Sequence, residues 1–217
     1  MPFFFAERDG DHALIRDADA RHLTRSLRVR DGEELQVVDL KGFLLTIRVD
    51  SISPSLVSGL IVAEQEHRPE PARRVVVAIA QLPAASLDLV LSRCTEVGAA
   101  AFQIVSADRS VARGSRMERW QSICREAAML AGRLHVPEVA GPSPLDEVID
   151  ENAVMLVRGA DNTIPSSGDI TLLIGPEGGW SERELAMVPA QATLGPRNLR
   201  ADTAAIVATA IAVGSGS

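Results

Sequence analysis

Two short segments in the last third of the chain carry residue types at a spacing that could do chemistry. In the first, Leu172-Leu173-Ile174-Gly175-Pro176-Glu177-Gly178-Gly179-Trp180-Ser181, an apolar run passes straight into a Gly-Pro-Glu-Gly-Gly turn. Ser181 and Glu184 form a capping-box pair, so a helix is predicted to start where the turn ends. Glycines let the backbone approach a ligand, and their amides can bind its polar atoms. The spacing matches neither the dinucleotide GxGxxG nor the GxxxxGK[ST] phosphate loop, so something other than a pyrophosphate is to be held. The second segment, Leu194-Gly195-Pro196-Arg197-Asn198-Leu199-Arg200-Ala201-Asp202-Thr203-Ala204-Ala205, repeats the plan of strand end, Gly-Pro turn and helix. Arg200 and Asp202 at a helix mouth are costly to bury unless they serve one another or a ligand. Taken without the first turn, a salt-bridged helix start would explain them.

Charge bears on the partner. The net charge of -7 argues against indiscriminate nucleic-acid binding. Local clusters permit it, however: Arg21, Arg25, Arg28 and Arg30 stand together without an acidic residue between them, and Arg109, Arg113, Arg116 and Arg119 form a second group. Such runs also occur as plain solvated faces. The two cysteines, Cys94 and Cys124, fit neither a disulfide framework nor a zinc site and are expected to be buried thiols, so no metal is expected. Hydrophobic residues at 46% and charged residues at 24% describe a globular chain. With no apolar run near the roughly 18 residues of a membrane span, and Met1 to Phe5 too short for a signal core, a cytoplasmic location without a membrane partner is expected.

The elements that position these segments follow from patterning. Short β segments are predicted at His12 to Ile15, Glu34 to Val38, Phe43 to Val49 and Val57 to Ala63, with Asp31-Gly32 and Lys41-Gly42 as turns. A helix capped by Asp19 would set Leu23 and Leu27 on one face and Arg21, Arg25 and Arg28 mostly on the other. This reads as a small barrel carrying a basic helix. Glu64 to Arg74, with two prolines and many charges, is the linker candidate, giving domains 1–68 and 73–217. Beyond it strands and helices alternate: Val75 to Ala80, a helix from Ser86 to Val97, Ala101 to Ser106, and a helix opened by Ser115 and Glu118 that turns Met117, Trp120, Cys124, Ala127 and Leu130 inward. Strands at Ala153 to Val157 and Ile170 to Ile174, a helix after the glycine turn, a short strand near Ala192 to Leu194 and an alanine-rich final helix complete an α/β order. Gly214 to Ser217 reads as a flexible tail.

With these residues in view, the chain resembles the 16S ribosomal RNA uridine N3-methyltransferases. IGPEGGWSERE from Ile174 and LGPRNLRADTA from Leu194 are similar to that family's two C-terminal motifs at a comparable separation. His22-Leu23-Thr24-Arg25-Ser26-Leu27-Arg28 resembles its N-terminal motif, and Cys94-Thr95-Glu96-Val97-Gly98 with Asp108-Arg109-Ser110 its middle block. Arg119-Trp120, Glu126-Ala127-Ala128, Arg133 and Pro137 continue in register, so nearly the whole chain is covered. Three departures stand out: Leu130 where members carry Gln, Ala201-Asp202 where they carry Thr-Glu, and Gln81-Leu82-Pro83-Ala84-Ala85 where a lysine is often found.

The resemblance implies a PUA-like β-barrel followed by a trefoil-knotted α/β methyltransferase domain of the SPOUT class, working as a homodimer with the final helix near the interface. It implies S-adenosyl-L-methionine as methyl donor, bent among three loops that map onto Leu156, Val157 and Gly159; Ile174, Gly175, Pro176, Glu177, Gly178 and Gly179; and Leu194, Gly195, Asn198 and Leu199. The partner would be 16S rRNA or the assembled small ribosomal subunit, met by His22, Arg25, Arg28, Arg30 and Arg109. Uracil N3 is a poor nucleophile while protonated and lies in base pairs, so it must be exposed, oriented and relieved of its proton. Arg200 could stabilise the developing imide anion, and Asp202 could take part in proton removal or orient Arg200. Two other readings stay open: a sibling of the same class acting on tRNA or another RNA position, and a non-catalytic RNA-binding or assembly protein that keeps the fold.

Overall fold

The structure is a computed structural model that describes residues 3–214. Ser215 to Ser217, and with them most of the predicted tail, lie outside the described residues. The chain forms two compact units, one built from residues up to Glu70 together with Ala128–His135, the other from Pro71–Ala127 and the residues from Val136 onward.

The first unit is a closed five-stranded barrel. Its strands are β1 (Phe4–Asp9), β2 (His12–Arg16), β3 (Glu34–Asp39), β4 (Phe43–Ile52) and β5 (Leu56–Glu66), in the order β1-β2-β5-β4-β3. Parallel pairing of β1 with β3 closes it. Alternation fills the interior: Ala13, Ile15, Leu35, Val37, Leu45, Ile47 and Val57 are buried, with the polar residues between them turned out. Between β2 and β3 lies α1 (Asp17–His22), which runs into a π-helical turn over Leu23–Leu27. This corrects two expectations. Asp19 sits within the first turn and does not cap it, since the cap position is Arg16. Leu27 is 39% exposed while Leu23 is fully buried, because the wider π turn moves the fourth residue off the face of the first.

The supposed linker is pinned. The Glu70 carboxylate accepts the Arg133 guanidinium (Nε, 3.1 Å) and the amides of Leu134 and His135 (2.8 and 3.1 Å), tying the end of the first unit's strand region to its returning segment. Arg73, 6% exposed, donates to the carbonyls of Pro165 (2.8 Å), Ala212 (3.2 Å) and Gly168, and burial lowers its pKa. Charged residues that read as solvated linker are consumed by backbone carbonyls and amides.

The second unit is a six-stranded, wholly parallel sheet of β6 (Val75–Ala80), β7 (Ala101–Val105), β8 (Glu138–Ser143), β9 (Ala153–Leu156), β10 (Ile170–Ile174) and β11 (Gln191–Ala192), ordered β11-β9-β10-β6-β7-β8. Every residue of β6 and β10 is buried, as expected for central parallel strands covered on both faces. On one face Val75, Val77, Ile79, Leu172 and Ile174 pack with α2 (Ala84–Val97), α3 (Met117–Ala131) and α6 (Ala201–Gly214). On the other, Ala78, Ala80, Met155 and Leu173 pack with α4 (Leu145–Val148) and with Leu185 and Met187 of α5 (Glu182–Met187). Gly98 ends α2 at φ +124°, and a Cβ there would fall 2.6 Å from Pro71.

Within this unit Cys94 and Cys124 are buried and not bridged by a disulfide, and burial pushes Cys94 up to about 12. Thr209 of α6 donates to the Cys94 sulfur at 3.4 Å. The third helix begins at Met117 rather than Ser115, and Leu130 is 57% exposed, not inward, because the inward stripe runs through Trp120, Cys124, Ala127 and Ala128. No helix among the described residues is long and apolar enough to cross a membrane.

Candidate functional site

The carboxyl ends of β9, β10 and β11 are neighbours in the sheet, so the loops that follow them converge. Crevices outside the carboxyl ends of parallel strands are where α/β folds place ligands. Here the three loops and the start of α6 line one cavity. From the sequence candidates it takes Leu156, Val157, Ile174, Gly175, Pro176, Glu177, Gly179, Leu194, Gly195, Asn198 and Leu199. Gly159 and Gly178 remain outside the lining. Arg158 and Arg197, inside the expected loops Leu156 to Gly159 and Leu194 to Leu199, line it too, as do Trp180, Ala201 and Ala204, which were not among the candidates. Each is adjacent to a candidate or one helical turn on, and that adjacency was the available signal.

Local chemistry shapes each loop. In the first, the Val157 amide donates to Ala192 O (2.9 Å) and the Ala160 amide to Val157 O (3.3 Å). In the third, Thr193 Oγ1 accepts the Gly195 amide (3.2 Å), and the Thr193 amide donates to Asn162 O (2.8 Å). In the second, the Gly179 amide donates to Pro176 O (2.8 Å), closing the turn at φ +69°. A Cβ on Gly175 would stand 3.1 Å from the Trp180 ring, a tight approach that would press the ring back from this wall by a few tenths of an ångström. Glu177 Oε1 accepts the Ala201 amide (3.3 Å), joining the second loop to the start of α6.

A second layer braces the Gly175–Gly179 turn. The expected capping box is formed: Ser181 Oγ accepts the Glu184 amide (3.2 Å) and Glu184 Oε2 accepts the Ser181 amide (2.8 Å). Glu184, 1% exposed, uses its other oxygen to accept the Asp108 amide (2.9 Å). Asp108 in turn accepts Arg183 Nη2 and Ser181 Oγ, both at 2.6 Å, and these hold its carboxyl below the ordinary carboxylate range, the Arg183 bond most strongly. Arg109 Nη1 donates to the carbonyls of Gly178 (3.0 Å) and Trp180 (3.1 Å).

Arg200 and Asp202 flank the cavity-lining Ala201 without lining the cavity themselves. Arg200 Nη2 lies 3.7 Å from Asp202 Oδ2; the Arg200 side chain is 72% exposed and that of Asp202 10%. Asp202 Oδ1 accepts the amide (2.7 Å) and hydroxyl (3.2 Å) of Thr203.

The other candidates divide. His22, Arg25, Arg28 and Arg30 are exposed in the first unit, where Arg28 ends the π turn in the left-handed region (φ 55°, ψ 44°) and the His22 ring lies 5.9 Å from that of Phe4. Barrel arginines Arg8, Arg16 and Arg48 are paired with carboxylates, whereas among the described residues none pairs with Arg21, Arg25, Arg28 or Arg30. Arg109 belongs to the second unit.

A barrel followed by a parallel α/β unit with a cavity at its strand ends matches the comparisons with known proteins. The family model described as the RNA methyltransferase domain covers residues 68–213, and that of the RNA methyltransferase PUA domain covers residues 15–61, which sets the class as a PUA-containing RNA methyltransferase. Ribosomal RNA small subunit methyltransferase E of Synechocystis sp. is 32% identical over 89% of this chain and 70% of its own length, and that of Mycobacterium bovis is 30% identical over 92% and 85%. The chain belongs to this ribosomal RNA small subunit methyltransferase E family. In structure it is similar to the Neisseria gonorrhoeae member bound to S-adenosyl methionine, with a TM-score of 0.83, 28% identity and coverage of 97% and 95% of the two chains.

Proposed function

We propose that this chain methylates N3 of a uridine in 16S rRNA with S-adenosyl-L-methionine as donor, acting as a homodimer on the rRNA or the assembled small subunit. The observation that carries this reading is the convergence of the three strand-end loops on one cavity, in a chain whose family relative holds that donor. The lining fits it. Leu156, Ile174, Leu194, Leu199 and Ala204 offer apolar surface for a purine, the glycine turns offer main-chain groups for its polar edges, and Arg158, Arg197 and Glu177 in the same lining offer charges of both signs for the amino-acid end.

The donor supplies an already activated methyl group, which leaves positioning and charge stabilisation to the protein. Arg200, exposed beside the cavity, is suited to meet the uracil oxygens as N3 loses its proton. With Oδ1 of Asp202 engaged by Thr203 and Oδ2 facing Arg200, the contacts favour Asp202 as the group that orients Arg200. The unpaired arginines Arg25, Arg28 and Arg30, with His22, suit the RNA backbone.

For the homodimer, the small residues Ala205, Ala208 and Ala212 are buried inside this chain, while Val207 and Ile211 on the same helix are 37% and 45% exposed and suit a partner face. A trefoil-knotted SPOUT threading and a division at residues 68 and 73 belong to the same reading. The test is transfer of labelled methyl to unmethylated small subunits, with naked rRNA and tRNA in parallel and the product nucleoside identified by mass spectrometry. N3-methyluridine on the subunit or its rRNA is expected; methylated tRNA, or no transfer to any RNA, would overturn the assignment.

A further inference from the structure

Arg109 stands out among the arginines of its loop. Its neighbour Asp108 is hydrogen-bonded to Arg183 and Ser181, so the Arg109 guanidinium is left to the backbone, donating to the carbonyls of Gly178 and Trp180. Its stem covers Gly178: a Cβ built on that glycine would lie 3.4 Å from Arg109 Cβ and 3.6 Å from Cδ. Peptide units are planar, so holding a carbonyl also sets the amide that follows it. Holding Gly178 O sets the Gly179 amide, which closes the turn onto Pro176 O, and holding Trp180 O sets the Ser181 amide, which donates to Glu184. One guanidinium therefore sets both peptide planes that flank the cavity-lining pair Gly179 and Trp180.

We infer that Arg109 is a positioning residue for the methyl-donor loop, acting through the Gly178 and Trp180 carbonyls, and not a contact for RNA phosphates. The inference rests on reading the cavity as the donor site. Both bonds leave Nη1, whose two N–H directions are fixed by the planar guanidinium, whereas a lysine ammonium turns freely on its stem and serves two diverging carbonyls less well. Arg25 is the counterpart, exposed and without a carboxylate partner among the described residues.

The experiment measures donor affinity with no RNA present, by calorimetric titration of the full chain with S-adenosylmethionine and with S-adenosylhomocysteine. RNA affinity is measured separately at fixed salt. For Arg109→Met, donor affinity is expected to fall about tenfold, as for loss of charge-assisted hydrogen bonds, with RNA affinity within about twofold of the wild type. Turnover at saturating donor should stay within about threefold. Arg109→Lys should recover part of the donor affinity, and Arg25→Met should show the reverse pattern, weaker for RNA and unchanged for donor. Circular dichroism and the thermal midpoint check that each variant folds. If Arg109→Met does not fold, Arg109→Lys decides alone: unchanged donor affinity overturns the inference. Weaker RNA binding with intact donor binding in either variant also overturns it. Failure of the wild type to bind either compound would sink the donor-site reading and this inference with it.

Discussion

The cavity in the second unit and the basic segment of the first are built on opposite plans. Behind the cavity wall, the groups that brace the turn are spoken for: Glu184 accepts two amides, Asp108 accepts from Ser181 and Arg183, and Arg109 donates to two carbonyls, with the Gly175–Gly179 turn held among them. Along Arg21 to Arg30 the guanidinium groups are exposed and, among the described residues, paired with no carboxylate. A small ligand of fixed shape rewards a preformed wall, since each bond made in advance is one that binding need not order. A long polyanion rewards mobile charge, because its contribution comes chiefly from displaced counterions. The comparison teaches that the same residue type suits either purpose, and that what arginine faces decides which.

The largest expected effect lies at the base that the proposed reaction would methylate. Arg200→Ala should lower turnover at least about a hundredfold, in the range seen when a donor to a developing anion is removed, while donor affinity stays within about threefold. Single-turnover methyl transfer alongside donor titration separates the two, and an unchanged rate would remove Arg200 from the chemistry. Next comes the brace. Glu184→Ala leaves the Asp108 and Ser181 amides without their acceptors and should cost roughly 2 kcal/mol in urea unfolding. Donor binding should weaken with it, and Glu184→Gln, which keeps one acceptor oxygen, should lose less on both measures.

A smaller and more selective effect is expected in the first unit. Replacing Arg25, Arg28 and Arg30 together by Gln should leave donor affinity untouched and flatten the dependence of RNA affinity on salt, by roughly one unit of slope for each phosphate that is no longer neutralised. If donor affinity fell as well, the division of labour between the two regions would be wrong.

These regions also differ in how far the sequence reveals them. The glycine turn was legible because everything that defines it is local: an all-apolar strand, a Gly-Pro-Glu-Gly-Gly turn and a capping box within thirteen residues from Leu172 to Glu184. Strand β1 was not, since Phe4–Asp9 lacks alternation and is held in place by parallel pairing with distant β3. Strand β8 contains Gly141-Pro142, which reads as a turn. Glu70 and Arg73 read as linker charges because their partners, Arg133 in one case and the carbonyls of Pro165 to Gly168 and Ala212 in the other, lie far along the chain. Leu27 and Leu130 were placed inward by helical period alone, which the π turn and the narrow apolar stripe of α3 override. Of the site, the three loops were readable but the pairing of Asp108 with Arg183 and Ser181 was not, for it joins residues more than seventy apart.

The smallest expected effect, and the one that most directly sets the regions against each other, is the response to pH. In the barrel, His12 Nδ1 lies 2.7 Å from Asp11 and Nε2 2.8 Å from Asp50, and these contacts, that with Asp11 first, raise its pKa above 6.5. Its contribution to stability is complete below 6.5 and fades as pH rises through the raised value, because the unfolded chain gives up that proton sooner. Beside the glycine turn, Asp108 is lowered below 3.8, first by Arg183 and then by Ser181, so its contribution is present above 3.8 and fades as pH falls through the lowered value. The barrel pair should therefore loosen on the alkaline side and the brace of the glycine turn on the acid side, with both intact between. Following the His12 ring carbons and the Asp108 carboxyl carbon by NMR across pH 2 to 9 measures each separately. Both side chains are more than a third exposed, so solvent screens their partners, the changes in global stability should be slight and the shifts in midpoint are the decisive readout. A His12 midpoint at or below 6.5 would break the barrel half of the comparison, and an Asp108 midpoint at or above 3.8 would break the half that concerns the brace.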